Sequence, residues 1–274
     1  MVMSFQTDFQ HWWHGRLRRP FGLHVSIRTE EGTPLLLLHG LGSGGLAWQG
    51  LVRQTGSRWQ VVAPDLLGFG RSPQPDFIDY TVDDHAKAVA KVIRQTYGRK
   101  RITVMAHSMG CLVAIRLSQM RGVKIDRLIL YEPPLLSVAE ARRLKRLPRY
   151  KDLYRRAAEN PQVLMTFSKL LARVISETPF NVSSDNWLPN ERSLRNTILR
   201  QDAIEVLENI RIRTDIAYGR FDFIVDSKSA RRKLKKNPFI HFHQINDTHG
   251  VSRLSNGALV KLLDKPRLTE TKPV

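Results

Sequence analysis

The chain has 274 residues, 42 % apolar and 25 % charged, a balance that fits a soluble globular protein with a well-buried core and excludes a disordered chain. Its 44 basic residues against 25 acidic ones give a formal charge of +19, a field that favours polyanions, anionic membrane surfaces or acidic partners. The basic residues are spread along the chain without zinc-finger spacing or an RNA-recognition signature, so the charge reads as a solvated surface and not as a nucleic-acid site.

The apolar runs, such as 35–38 and 128–131, are strand-length and far short of a membrane span. The opening stretch MVMSFQTDFQHWWHG contains Asp8 and no continuous apolar centre, so no signal peptide is read there and a cytoplasmic location is expected. The single cysteine, Cys111, leaves no internal disulfide to form and is compatible with a reducing compartment.

In chain order, after an amino-terminal arm, the first strand is expected at 34–39 and the second at 59–64, both short and apolar. Thr81 then has the character of an N-cap before VDDHAKAVAKVIRQTYG, where Val82, Ala86, Val89, Ala90 and Ile93 recur at helical spacing and Gly98 supplies the stop. A strand at 102–106, a helix from 109 to about 120 and a strand at 128–131 follow.

The alternation breaks from 135 to 200, where VAEARRLKRL, YKDLYRRAAE and VLMTFSKLLARVIS are amphipathic and helical with no convincing strand. It resumes with a strand at 215–218, the helical SKSARRKLKK, a strand at 239–245 and a helix over 250–263. Strands alternating with helices predict an α/β fold, a doubly wound and mostly parallel sheet. The core domain is expected at 1–134 and 201–274, interrupted by a helical insertion at 135–200.

Within this frame the segment VMAHSMGCLVA carries Ser108 at a strand-to-helix corner. A nucleophile at such a corner is held in strained backbone angles and needs small residues two positions before and after, here Ala106 and Gly110. The usual pattern has glycine at both, so Ala106 is a departure. The competing reading is a serine that merely caps the following helix.

Acyl transfer also needs hydrogen-bond donors for an oxyanion. LLLLHGLGSGG leaves a strand for a glycine-rich loop in which backbone N–H groups can face a cavity; the expected donors are the N–H groups of Leu41 and Met109. His39, Gly40, Gly42 and His107 would line the same pocket. The loop lacks P-loop and dinucleotide spacing.

The base is expected late in the chain, after the last strand, where QINDTHGVS places His249. His241 and His243, two apart on one strand, read as structural, and His39 and His107 as shaping the pocket. The acid that orients the imidazole is expected after the strand at 215–218, at Asp222 in GRFDFIVD. Asp226 fits better as the cap of SKSARRKLKK. Glu132, just after LILY, remains a competitor.

The order Ser108, Asp222, His249, each beyond a strand's carboxyl end, is that of the α/β-hydrolases. The chain resembles that family over nearly its whole length, through His39–Gly40–Leu41–Gly42, the run DLLGFGRS beginning at Asp65, Ala106 to Gly110, Gly219 to Asp222, and His249–Gly250. Asp65 would tie down its own turn. The resemblance implies that 135–200 forms a cap over the site and that a serine nucleophile works through an acyl-enzyme on a small-molecule ester, thioester or lactone. It implies neither cofactor nor metal. Carbon–carbon bond hydrolysis and cofactor-free haloperoxidase chemistry use the same residues in this family, and a hydrolase-like ligand-binding protein is the non-catalytic alternative.

Overall fold

The structure, a computed structural model, describes residues 11–17, 19–136, 187–221, 227–247 and 250–265. Seven strands form one sheet in the order β1-β3-β2-β4-β5-β6-β7. They span Val25–Arg28 (β1), Thr33–Leu38 (β2), Trp59–Pro64 (β3), Ile102–His107 (β4), Ile125–Tyr131 (β5), Arg213–Gly219 (β6) and Ile240–Ile245 (β7). β1 runs antiparallel to β3, and every other neighbouring pair is parallel.

Strand β1 falls inside the stretch read as an amino-terminal arm, which corrects that reading. Its three partly buried residues and exposed Arg28 offer no apolar run, because an edge strand buries only one side against a neighbour. The six strands expected from the sequence are all present, within a few residues of their expected ends.

The uninterrupted leucines of β2 follow from burial on both faces. Successive strand side chains point to opposite sides. Leu36 and Leu38 therefore join Val104, Ala106, Leu128 and Leu130 in one core layer, under the Val82–Tyr97, Met109–Ser118 and Ala203–Glu208 helices. Leu35 and Leu37 join Met105, Ile129 and Tyr131 in the other, under the Gln49–Thr55 and Arg253–Leu263 helices.

Thr81 caps the Val82–Tyr97 helix in a reciprocal box. Its hydroxyl accepts from the Asp84 N–H, and the Asp84 carboxylate accepts from the Thr81 N–H. The last helix begins at Arg253, three residues later than expected.

Of the stretch 135–200, the described residues include the helix Trp187–Ser193 and a single π turn, Leu194–Ile198. They are tied to the loop before the Val82–Tyr97 helix: Arg192 donates to the carbonyls of Asp76 and Ile78, Asn196 to that of Asp79, and Thr197 to that of Tyr80. Residues 137–186 lie outside the described residues. Among the described residues, no helix is long and apolar enough to cross a membrane.

Candidate active site

Ser108 sits between the end of β4 and the Met109–Ser118 helix with φ 50° and ψ −121°. For a residue with a β-carbon, that conformation costs of the order of 1–3 kcal/mol and persists only when its surroundings impose it. The serine side chain makes no capping hydrogen bond to the helix, so the capping alternative does not explain the residue. The Ser108 N–H donates to the carbonyl of Tyr131 at 3.0 Å, and the Ser108 carbonyl accepts from the Cys111 N–H at 2.9 Å. The carboxyl end of β5 thus clamps the corner.

Tight packing makes the neighbouring positions small. A β-carbon on Gly110 would stand 2.5 Å from the His39 carbonyl oxygen and 2.8 Å from that of Leu38, so a side chain there would collide with the backbone of the β2 exit. Ala106, the departure from the usual pattern, is fully buried in the core and its methyl group is accommodated. A β-carbon on Gly40 would lie 2.9 Å from His107 Nδ1 and 3.1 Å from Ser108 Cβ. The glycine-rich loop therefore passes directly against the serine. Leu41 is partly buried against the core and Met109 is fully buried; Gly42 turns the loop with φ 68°.

His39 is committed to structure. Its Nε2 accepts from the Leu66 N–H at 2.8 Å, which assigns the proton to Nδ1, 2.7 Å from the Gly40 carbonyl. Burial lowers its pKa to about 4, with the Gly40 carbonyl and Asp65 pulling the other way. His107 is half-buried with its ring 5.6 Å from that of Tyr131. Asp65 holds its turn as expected, accepting from Ser26 Oγ and from the N–H groups of Gly45 and Arg71. Cys111 lies one turn from the serine but is fully buried, and that burial pushes its thiol pKa up, so it is not a competing nucleophile.

Glu132 directly follows β5 and is fully buried, also with positive φ, at 53°. Its Oε1 accepts from the Gly219 N–H at 2.6 Å, and its own N–H donates to the Ala217 carbonyl. This carboxylate stands between the serine's strand and the end of β6.

Asp222, Asp226 and His249 lie outside the described residues. The segments that lead to Asp222 and His249 are described, and they meet: the Arg220 N–H donates to the Ile245 carbonyl, and the Phe221 N–H to that of Asp247. His243 is taken up by Asp215, whose Oδ1 is 2.7 Å from His243 Nε2. Among the described residues, no three His, Cys, Asp or Glu side chains are grouped to hold a metal ion. The clamp by the Tyr131 carbonyl is the feature that sequence reading missed, since a backbone acceptor leaves no mark on residue type.

Comparison with known proteins agrees with this fold. The family model described as alpha/beta hydrolase fold matches residues 33–248. A probable lysophospholipase, BODYGUARD 3 of Arabidopsis thaliana, is 33 % identical over 116 residues, 41 % of this chain and 23 % of that protein. The uncharacterized protein Rv2715 of Mycobacterium tuberculosis is 35 % identical over 100 residues, 36 % of this chain and 29 % of that one. The matched stretches thus span under a third of these relatives. Among solved structures, an esterase from Exiguobacterium antarcticum superimposes with a TM-score of 0.69 at 17 % identity, covering 88 % of this chain and 93 % of that one. A thermophilic esterase from Thermogutta terrifontis gives 0.66 at 20 %, covering 88 % and 91 %. At these identities the likeness shows the fold alone.

Proposed function

Because this chain belongs to the α/β-hydrolase fold family, we propose that it is a serine hydrolase that cleaves a small or medium carboxylic ester, or a related thioester or lactone, through an acyl-enzyme on Ser108. One observation carries the reading: a serine held at φ 50° on a strand-to-helix corner, making no helix cap, with a glycine loop pressed against its β-carbon. Such strain is maintained against a cost that a mere surface hydroxyl would not need. The probable lysophospholipase among its relatives supports an ester as the bond attacked.

In this mechanism His249 removes the Ser108 proton as the hydroxyl attacks the carbonyl carbon. The backbone N–H groups of Leu41 and Met109 receive the oxyanion, aided by the amino end of the Met109–Ser118 helix. The alcohol leaves with a proton from His249. Water, deprotonated by the same imidazole, then releases the acid. The stretch 135–200 is assigned the role of a cap on its sequence and family resemblance alone, and its apolar residues Leu164, Met165, Phe167, Leu170 and Leu171, outside the described residues, favour an apolar acyl or alcohol part.

Asp222 orients His249 in this proposal. Glu132 is the second reading for that role, favoured by its complete burial at the adjacent strand end. Asp222→Asn and Glu132→Gln separate the two, since the true acid's amide lowers kcat by about 10⁴ while substrate binding holds.

Hydrolysis of short p-nitrophenyl esters, with lysophospholipid as a parallel substrate, tests the whole. Ser108→Ala is expected to abolish turnover and labelling by a fluorophosphonate probe. Wild-type rates in that variant would end the proposal, and absence of labelling in the parent would favour a ligand-binding protein.

A further inference from the structure

The amino-terminal turn His11–Arg16 presents apolar surface that nothing in the ester-cleaving scheme uses. Trp12, Trp13 and Leu17 are exposed at 47 %, 37 % and 43 %, on a turn where Arg16 and Arg19 are exposed as well. The guanidinium of Arg19 lies over the Trp13 ring, 5.7 Å from its centre. Indole rings on show beside arginines are costly in water and suited to the boundary between headgroups and acyl chains, where the ring is half-dehydrated and the cation meets phosphate.

The turn is anchored. His14 stacks on Phe21 with ring centres 3.8 Å apart, Phe21 packs toward Phe77, and Gly15 lies against the Phe77 ring. Phe77 belongs to the loop between the carboxyl end of β3 and the Val82–Tyr97 helix, the loop that also receives Arg192. The patch therefore rides on the sheet edge that carries Ser108. Two other exposed apolar side chains, Leu46 and Phe221 at 61 % and 50 %, follow the carboxyl ends of β2 and β6 on that same edge. Phe221, like Trp13, has an arginine over its ring, Arg220 at 5.9 Å.

Charge selects the kind of surface. The loop below the turn contributes Asp76 and Asp79 and the helix that follows it Asp83 and Asp84. Against these, Arg16 and Arg19 stand on or beside the turn, Lys91 donates to the Pro20 carbonyl and Arg192 to that of Asp76, and the whole chain carries +19. A sheet of negative headgroups complements this field, and each arginine near such a surface adds to the attraction.

We propose that Trp12, Trp13 and Leu17, flanked by Arg16 and Arg19, form a docking patch for an anionic phospholipid surface, seating the protein with its active-site edge toward the bilayer. The inference rests on the patch and not on the ester-cleaving reading.

Cosedimentation with vesicles of phosphatidylcholine, with and without phosphatidylglycerol, tests it. The parent is expected to bind the anionic vesicles, more weakly as salt rises. Replacing both Trp12→Ala and Trp13→Ala keeps the net charge and is expected to weaken binding about tenfold or more. Quenching of tryptophan fluorescence by brominated phosphatidylcholine should fall with it. Arg16→Glu with Arg19→Glu should weaken binding to anionic vesicles as well, and Ser108→Ala should bind as the parent does.

Undiminished binding by the tryptophan pair variant would reduce the effect to general charge and overturn the proposal. So would loss of vesicle binding in Ser108→Ala, a parent dimer that the tryptophan substitutions convert to monomer, or retention on duplex DNA governed by the same two tryptophans.

Discussion

Gly110 and His39, 71 positions apart in the chain, approach so closely that a β-carbon on the first would stand 2.5 Å from the carbonyl oxygen of the second. That approach brings the glycine-rich loop after β2 to the corner that holds Ser108. Gly110→Ala must push the two backbones apart, so it is expected to lower stability by about 1–3 kcal/mol and to impair ester turnover by displacing the loop. Urea unfolding beside a p-nitrophenyl ester assay measures both effects; a variant that is stable and fully active would contradict this account.

Ser108 is expected to show stability and activity moving in opposite directions. Its φ of 50° strains a residue with a β-carbon but not glycine. Ser108→Gly should therefore be inactive yet more stable than the parent, by about 1 kcal/mol. Ser108→Ala keeps the strain and should be inactive without that gain. A thermal shift comparison of the two variants separates relief of strain from loss of the hydroxyl.

On β5 and β6, Arg127 Nε meets Asp215 Oδ2 at 2.8 Å with the two side chains 2 % and 0 % exposed. Arg127 also donates to the carbonyls of Leu262, Leu263 and Lys265, fastening the end of the last helix to the sheet. Burial alone would raise the Asp215 pKa, but the His243 hydrogen bond and the Arg127 charge outweigh it and hold the carboxyl at about 2, below its ordinary 3.8. The resulting stability is complete above about pH 3.8 and is lost as pH falls through about 2. Asp215→Asn leaves the buried guanidinium without its counter-charge and is expected to cost about 3–5 kcal/mol at pH 7. Denaturation at pH 7 and at pH 3 should show that the variant has lost most at pH 7.

His85 contributes a second pH dependence, larger than that of Asp215 and set at milder acidity. Buried against the rings of Phe69 and Tyr80, with Nε2 3.1 Å from Ser193 Oγ, it has its pKa lowered to about 3 by burial and, less, by His39. The folded protein refuses a proton that the unfolded chain takes up below about 6.5. Stability is thus full above pH 6.5 and declines below it, by up to about 1.4 kcal/mol per pH unit for this one group. His85→Gln keeps a polar side chain toward Ser193 without titrating, so its stability should fall less steeply between pH 6.5 and 4. Parallel slopes for parent and variant would show that the site does not govern acid sensitivity.

Much of the architecture is legible in residue order because it depends on local patterns. Apolar runs such as Leu35 to Leu38 mark strands buried on both faces, and Thr81 with Gly98 marks the two ends of a helix. Ser108 between an apolar strand and an apolar helix marks the corner. The edge strand Val25–Arg28 is not legible, since it is only partly buried and its pairing with β3 is supplied by a neighbour and not by its own composition.

What the sequence by itself determined is the alternation of strands and helices and the place of Ser108 between them; the role of Asp65 in its own turn is what the resemblance to the α/β-hydrolases implied. Only the tertiary structure decided that Ser108 is strained and not a helix cap, that the Tyr131 carbonyl clamps it, that Gly110 must lack a side chain, and that Asp215 serves Arg127 and His243. The physical reason is common to all four. Each depends on the distance between groups far apart in the chain, which strand register and the packing of the crossover connections set, and which residue type at any single position does not encode.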